Sequence, residues 1–92
     1  MSIKFEWDQN KADSNLSKHG VSFNEAKTVF NDSLYVDFFD PDHSYNEHRY
    51  IVIGQSLNNR LLLVAYTEEE NIIRLISARE ATRRERKTYE ER

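Results

Sequence analysis

Ninety-two residues suffice for one domain around one modest core. Hydrophobic residues at 38%, aromatics at 12%, two glycines and one proline exclude a disordered or collagen-like chain. The absence of cysteine excludes disulfides and thiolate metal sites, and a net charge of −3 excludes a surface coated in nucleic acid while permitting a local basic cleft.

The first residues, Met1 to Trp7, lack the apolar run of a signal peptide, and no later run is long enough to span a bilayer. With cysteine absent as well, the expectation is a cytoplasmic protein. Phe5-Glu6-Trp7 alternates aromatic and polar residues, as a short strand or a segment anchored on the core does. Asp8 is a natural N-cap for a helix over 9–19, with Ala12, Leu16 and His19 at helical spacing. Gly20 ends it, behind Lys18 and His19, which suit the helix dipole. Ser22 and Glu25 stand at capping-box spacing, and Val21 and Ala26 at the positions of a hydrophobic staple. They open a second helix over 23–31 that places Phe23, Ala26 and Phe30 on one face, and Asn31-Asp32-Ser33 closes it.

Strand formers dominate 34–39, where Asp40-Pro41-Asp42 stops the run. A polar loop follows at 43–48. Residues 49–56 form the next strand, Asn58-Asn59 a turn, 60–67 a third strand, Glu68 to Asn71 another turn, and 72–77 a fourth strand. Connections this short predict a four-stranded antiparallel meander. Ser77 and Glu80 repeat the capping-box spacing, which predicts a helix over 78–90 directly after the last strand. The fold class is α+β, a single domain over 1–92, with the helices packed on one face of the sheet.

The chemistry concentrates at that last junction. A helix from Ala78 would place Arg79, Arg83 and Arg86 in one stripe, with Arg74 just upstream on the strand. Residues 79–92 carry six basic and four acidic side chains, so the remainder of the chain holds a net −5. Such a stripe reads either as a solvated face or as a phosphate site, for which guanidinium groups offer permanent charge and bidentate geometry. Arg74 lies within an apolar run, so it must meet a carboxylate or an anion. Arg49 and Arg60 begin adjacent strands. The imidazoles of His19, His43 and His48 suit acid–base work, since histidine titrates at about 6.5 when unperturbed. His43 and His48 read as solvated loop residues, and His19 also has a structural place at a helix end. Trp7 and Tyr35, Tyr45, Tyr50, Tyr66 and Tyr89 offer rings for base stacking or for the core. Gly-rich phosphate loops and metal-ligand spacings are absent, so no cofactor and no metal are expected.

Phe5-Glu6-Trp7-Asp8, Lys11-Ala12, Asn15 and Lys18-His19-Gly20-Val21-Ser22-Phe23 with Glu25-Ala26 resemble the opening of the BrnT toxins. The resemblance continues through Asp40-Pro41-Asp42-His43, Glu47-x-Arg49, Ile53-Gly54-x-Ser56, Arg60-Leu61-Leu62 and Tyr66-Thr67. It ends with Ile73-Arg74-Leu75-Ile76-Ser77-Ala78-Arg79, Ala81-Thr82-Arg83-x-Glu85-Arg86 and Tyr89-Glu90. It implies a RelE/barnase-like small ribonuclease fold and a toxin of a type II toxin–antitoxin system. By the same resemblance the toxin cleaves RNA without metal, through attack of the ribose 2′-OH, and arrests translation. A BrnA-like ribbon-helix-helix antitoxin would neutralise it, with DNA reached only through that antitoxin. Arg49, Arg60, Arg74, Arg79 and Arg83 become the phosphate and transition-state contacts. His19 and Glu47 are the first candidates for proton transfer, with Lys18 and Tyr89 behind them. A second reading keeps the groove without the chemistry: a catalytically weak or inert module whose basic groove docks a partner protein.

Overall fold

The computed structural model describes residues 3–43 and 48–91. Helix α1 spans Gln9–His19, as predicted. Asp8 Oδ1 accepts from the amide of Asn10 at 3.0 Å, and Gly20 ends the helix at φ 69°, a conformation that a Cβ would penalise. The second predicted helix is shorter. Helix α2 covers only Phe23–Ala26 and tightens into a 3₁₀ turn over Lys27–Asn31. The β-branched pair Thr28-Val29 favours that change, and Thr28 Oγ1 bonds back to the carbonyl of Glu25 at 2.6 Å.

The sheet has five strands, not four. Strands β2 (Val36–Phe39), β3 (Arg49–Gln55), β4 (Leu61–Glu69) and β5 (Ile72–Glu80) form the expected antiparallel meander. Strand β1, Lys4–Glu6, adds to the outer side of β5 in parallel, giving the order β1-β5-β4-β3-β2 in a mixed sheet. Its three residues leave the rest of the β5 edge uncovered, and α1 closes it. The buried carboxamide of Asn15 accepts from the amide of Ala78 at 3.0 Å and donates to its carbonyl at 2.8 Å. It also donates to the carbonyl of Val21 at 2.9 Å. One side chain thus replaces a strand neighbour and joins the α1–α2 turn to the sheet.

The end of β5 departs most from the sequence-based expectation. Ser77 and Glu80 belong to the strand and cap no helix, so Arg79, Arg83 and Arg86 share no helical stripe. Helix α3 begins only at Arg83 and runs to Glu90, capped by Thr82 and Glu85 in a complete capping box. Two capping-box spacings compete in the sequence. The later one prevails because residues 77–80 pair with Leu62–Ala65 of β4, and those ladder bonds outweigh a local cap.

The core lies between the sheet and α1, α2 and the 3₁₀ turn, around Val21, Phe23, Val29, Leu62, Val64, Tyr66 and Leu75. Gly54 lets that turn approach the sheet, because a Cβ there would stand 3.1 Å from the Val29 carbonyl oxygen and 3.2 Å from Tyr35 Cβ. Most of the aromatic rings serve packing. Trp7 meets Phe23 edge-on, and Phe30 packs against both Phe5 and Tyr66. The third helix departs from the expected single helical layer. It packs on β3 and reaches the opposite margin, where Tyr89 donates to Asp32 at 2.6 Å. Ile53 and Leu61, which face away from the main core, are buried on its side of the sheet.

Replacing Asn15 by alanine would leave the two Ala78 groups and the Val21 carbonyl unpaired in a buried place. The expected loss is about 2–3 kcal/mol of unfolding free energy, read as a lower denaturant midpoint at unchanged slope. An unchanged midpoint would show that the edge is closed by other means.

Candidate active site

A β-bulge decides which side chains share a surface. Along β5, Leu75 pairs with Tyr66 and Ser77 with Ala65, so Ile76 is the extra residue. In a regular strand, Arg74 and Arg79 would point to opposite faces, being an odd number of residues apart. The bulge restores them to one face, opposite α1 and α2. Their cross-strand partners, Thr67 and Leu63, lie on that face too. The only trace of this in the sequence is the spacing of the buried residues Ile73, Leu75 and Ala78, two apart and then three.

The same register places Arg49 opposite Thr67 from the other side. Arg49 and Arg74 therefore flank Thr67 across adjacent strands, their backbones about 10 Å apart. Arg79 lies roughly 13 Å further along β5, beside the first turn of α3, which begins with Arg83. Between these cations the floor is made of small half-buried residues, Thr67, Ala65 and Ser77. The register thus sets cations at the two ends of a stretch of small residues on one face of the sheet, an arrangement termed the arginine basin.

Carboxylates hold two of these arginines. Arg79 donates from both terminal nitrogens to Glu85, each bond 2.8 Å, while Glu85 also accepts from the amide of Thr82. The hydrogen bonds from Arg79 lower the Glu85 carboxyl below its usual range, against the opposing effect of its burial. Glu85 thus aims Arg79. The Thr82-x-x-Glu85 spacing is the signal that could have revealed it. Arg74 forms a looser pair with Glu6, 3.3 Å apart and largely exposed. Its surroundings are acidic: Glu6, Glu69 and Glu70 line the cleft at that end together with Thr67 and Ile72. Arg83 has no partner among the described residues.

Arg60 stands apart from the basin. Its Nε donates to Glu25 Oε2 at 2.9 Å and its Nη2 to Glu25 Oε1, with further bonds to the Gly20 carbonyl at 3.0 Å and to Glu80 at 3.4 Å. Ser56 Oγ donates to the same carboxylate at 2.7 Å. Glu25 was placed by the sequence in a capping box. The Ser22 half of it is present, with Ser22 Oγ accepting from the Glu25 amide at 3.0 Å, but the carboxylate turns to Arg60 instead. The Glu25 side chain is only 8% exposed, and the hydrogen bonds from Arg60 hold its pKa at about 2. Arg60 thereby clasps the α1–α2 turn, α2 and the β3–β4 turn together.

The remaining candidates lie around the basin. His19 is exposed at the end of α1, in a cleft of about 180 Å³ shared with Lys11, Ser14, Asn15, Lys18, Ile76 and Ser77. Ser77, which lies opposite Ala65 on the basin face, is therefore shared between the two. Tyr66 is buried in the core, where desolvation and Asp37 push its hydroxyl pKa up. Glu47 lies outside the described residues.

Comparison with known proteins places these observations. The family model described as "Ribonuclease toxin, BrnT, of type II toxin-antitoxin system" matches residues 7–85. The crystal structure of the Brucella abortus ribonuclease toxin BrnT superposes with a TM-score of 0.64 at 21% identity, covering 89% of this chain and 100% of that one. No curated protein sequence matches the chain. Among the described residues no helix is long and apolar enough to cross a membrane.

The Glu25 clasp carries a pH signature. Its folded-state pKa, about 2, lies below the ordinary 4.5, so it contributes stability above pH 4.5 and loses it as the pH falls toward 2. A loss on the order of 3 kcal/mol from this group is expected over that window. In denaturant titrations at a series of pH values, Glu25→Gln should start less stable at pH 7 and fall less steeply below pH 4.5. Coincident pH slopes for the two proteins would remove the clasp from the account of stability.

Proposed function

This chain belongs to the BrnT family of ribonuclease toxins of type II toxin–antitoxin systems, and on that premise we propose that it is a RelE-like endoribonuclease whose active site is the arginine basin. The observation that carries the reading is the β5 bulge, which gathers Arg74 and Arg79 on the face shared by Arg49 and beside the first turn of α3. RNA lies over Thr67, Ala65 and Ser77. The ribose 2′-oxygen attacks the adjacent phosphorus and forms a new P–O bond as the bond to the 5′-oxygen breaks. The products are a 2′,3′-cyclic phosphate and a 5′-hydroxyl. One proton leaves the 2′-hydroxyl, and another is delivered to the departing 5′-oxygen.

Negative charge grows on the phosphorane oxygens during this step, and preorganised cations stabilise it most. Arg79 is the most preorganised, because Glu85 and the α3 cap fix its fork. Arg83, Arg49 and Arg74 extend the cationic surface. Four guanidinium groups supply the charge stabilisation that a metal ion would otherwise bring. His19 serves one of the proton transfers from the α1 side of Ser77, and Glu47 is the candidate for the other. Arg60 supports the fold through Glu25 and does not touch the RNA. Cleavage arrests translation in the cytoplasm. A BrnA-like ribbon-helix-helix antitoxin neutralises the toxin by covering the face of Arg74, Arg79 and Arg83.

Arg79→Ala is the informative variant. Loss of one preorganised charge-stabilising group costs roughly a hundredfold in rate, about 3 kcal/mol of transition-state energy. The variant should melt near the native temperature, still co-purify with the antitoxin and no longer arrest growth. Native RNA cleavage should persist in EDTA. Full toxicity of a stably folded Arg79→Ala protein would refute the assignment, and an inactive but partner-binding native protein would favour the docking module.

Antitoxin binding should also protect Arg74, Arg79 and Arg83 from arginine-selective modification. A tight complex with unchanged arginine reactivity would place the partner elsewhere.

A further inference from the structure

We propose that the cleft between α1 and the β5 bulge is a second phosphate-binding subsite, in which Lys11 and Lys18 hold the RNA backbone next to the linkage that His19 serves; this rests on the ribonuclease reading. Lys11 and Lys18 are seven residues apart on α1, two helical turns, and so project along one stripe. Ser14 and Asn15 lie between them on that stripe, and all four line the cleft with His19, Ile76 and Ser77. No carboxylate lines it. In a chain of net charge −3, that segregation separates the cleft from an ordinary mixed surface. Asp13, the acidic residue within α1, faces the other way, bonded to Gln9 and lining the hollow beside Trp7 and Phe23.

The pairing pattern points in the same direction. Arg60, Arg74 and Arg79 each hold a carboxylate, whereas Lys11, Lys18 and His19 have no hydrogen bond or ion pair among the described residues. Lys18 and His19 offset the negative end of the α1 dipole, but Lys11 lies in the first turn of α1, where that explanation fails. A phosphate would give these cations the partner they lack.

The path of the strand follows from the two ends of the basin. Beyond Arg74 the way out is lined by Glu6, Glu69 and Glu70, which repel a phosphodiester. Ser77, by contrast, belongs both to the basin floor and to the basic cleft. A single RNA strand crossing the basin past Arg79 therefore leaves over Ser77, and its next phosphates meet Lys18 and Lys11.

The test uses the full chain without antitoxin and a single-stranded 2′-O-methyl RNA oligonucleotide, which binds but cannot be cleaved. Fluorescence anisotropy across a salt series gives the affinity and its ionic dependence. Each phosphate contact on a single strand contributes about 0.7 to the slope of log K against log salt. The double variant Lys11→Gln/Lys18→Gln should bind about tenfold more weakly at moderate salt, with its slope reduced by about 1.4. On cleavable RNA the loss for Lys11→Gln alone should fall on KM rather than on kcat. The single charge reversal Lys11→Glu should lower affinity as well, with the native melting temperature. Native cleavage with affinity and salt slope unchanged in both variants would overturn the subsite and leave the ribonuclease reading intact. A native protein that binds the oligonucleotide with the stated lysine dependence but cleaves no RNA would instead refute the ribonuclease reading. Loss of antitoxin binding in the lysine variants, with RNA binding unaltered, would assign the cleft to the protein partner and overturn the proposal.

Discussion

The amide of Asn15, paired with both backbone groups of Ala78, is the contact on which the architecture around the site depends. A three-residue β1 cannot protect a nine-residue β5, and an uncovered edge invites pairing with another chain. Asn15 meets that requirement with one carboxamide, donating and accepting as a peptide group would. In doing so it fixes α1 beside the bulge, which brings His19, Lys18 and Lys11 to the margin of the arginine basin.

The arginines divide by the company they keep. Arg60 is committed to a nearly buried carboxylate, and separating that pair would strand a charge in a poorly solvated place. Arg79 keeps a carboxylate too, but in a partly exposed pair on the sheet face where α3 begins. Arg74 sits among three glutamates that weaken its field locally. A count of basic residues would treat the three alike. Burial and partners assign them different work.

Helices α1 and α2 pack on one face of the sheet, and α3 crosses part of the other. A negative net charge is compatible with the proposed RNA path, because attraction to a strand depends on the nearby field more than on the total. The segregation is visible between neighbouring clefts of one sheet, acidic beside Arg74 and basic beside α1.

Much of the fold was legible in local residue chemistry. Asp8 and Gly20 bounded α1 correctly, and the alternation and turns of the meander placed β2 to β5 within a few residues. Those signals act over a few positions, where caps, turns and periodicity are decided. What the residues alone left open depended on partners distant in sequence. Phe5 becomes a strand residue only because β5 offers an edge, and Ser77 yields its cap because β4 demands a neighbour. Asn15 and Glu25 likewise find Ala78 and Arg60 only in the folded chain. The grouping of Arg49, Arg74 and Arg79 turned on a single inserted residue, Ile76, which reverses every later side chain of β5. By itself the sequence determined which residues carry charge and where α1 and the strands of the meander lie. Tertiary structure alone decided which charges share a face, because strand register and ion pairing are set by contacts across the sheet and not along the chain.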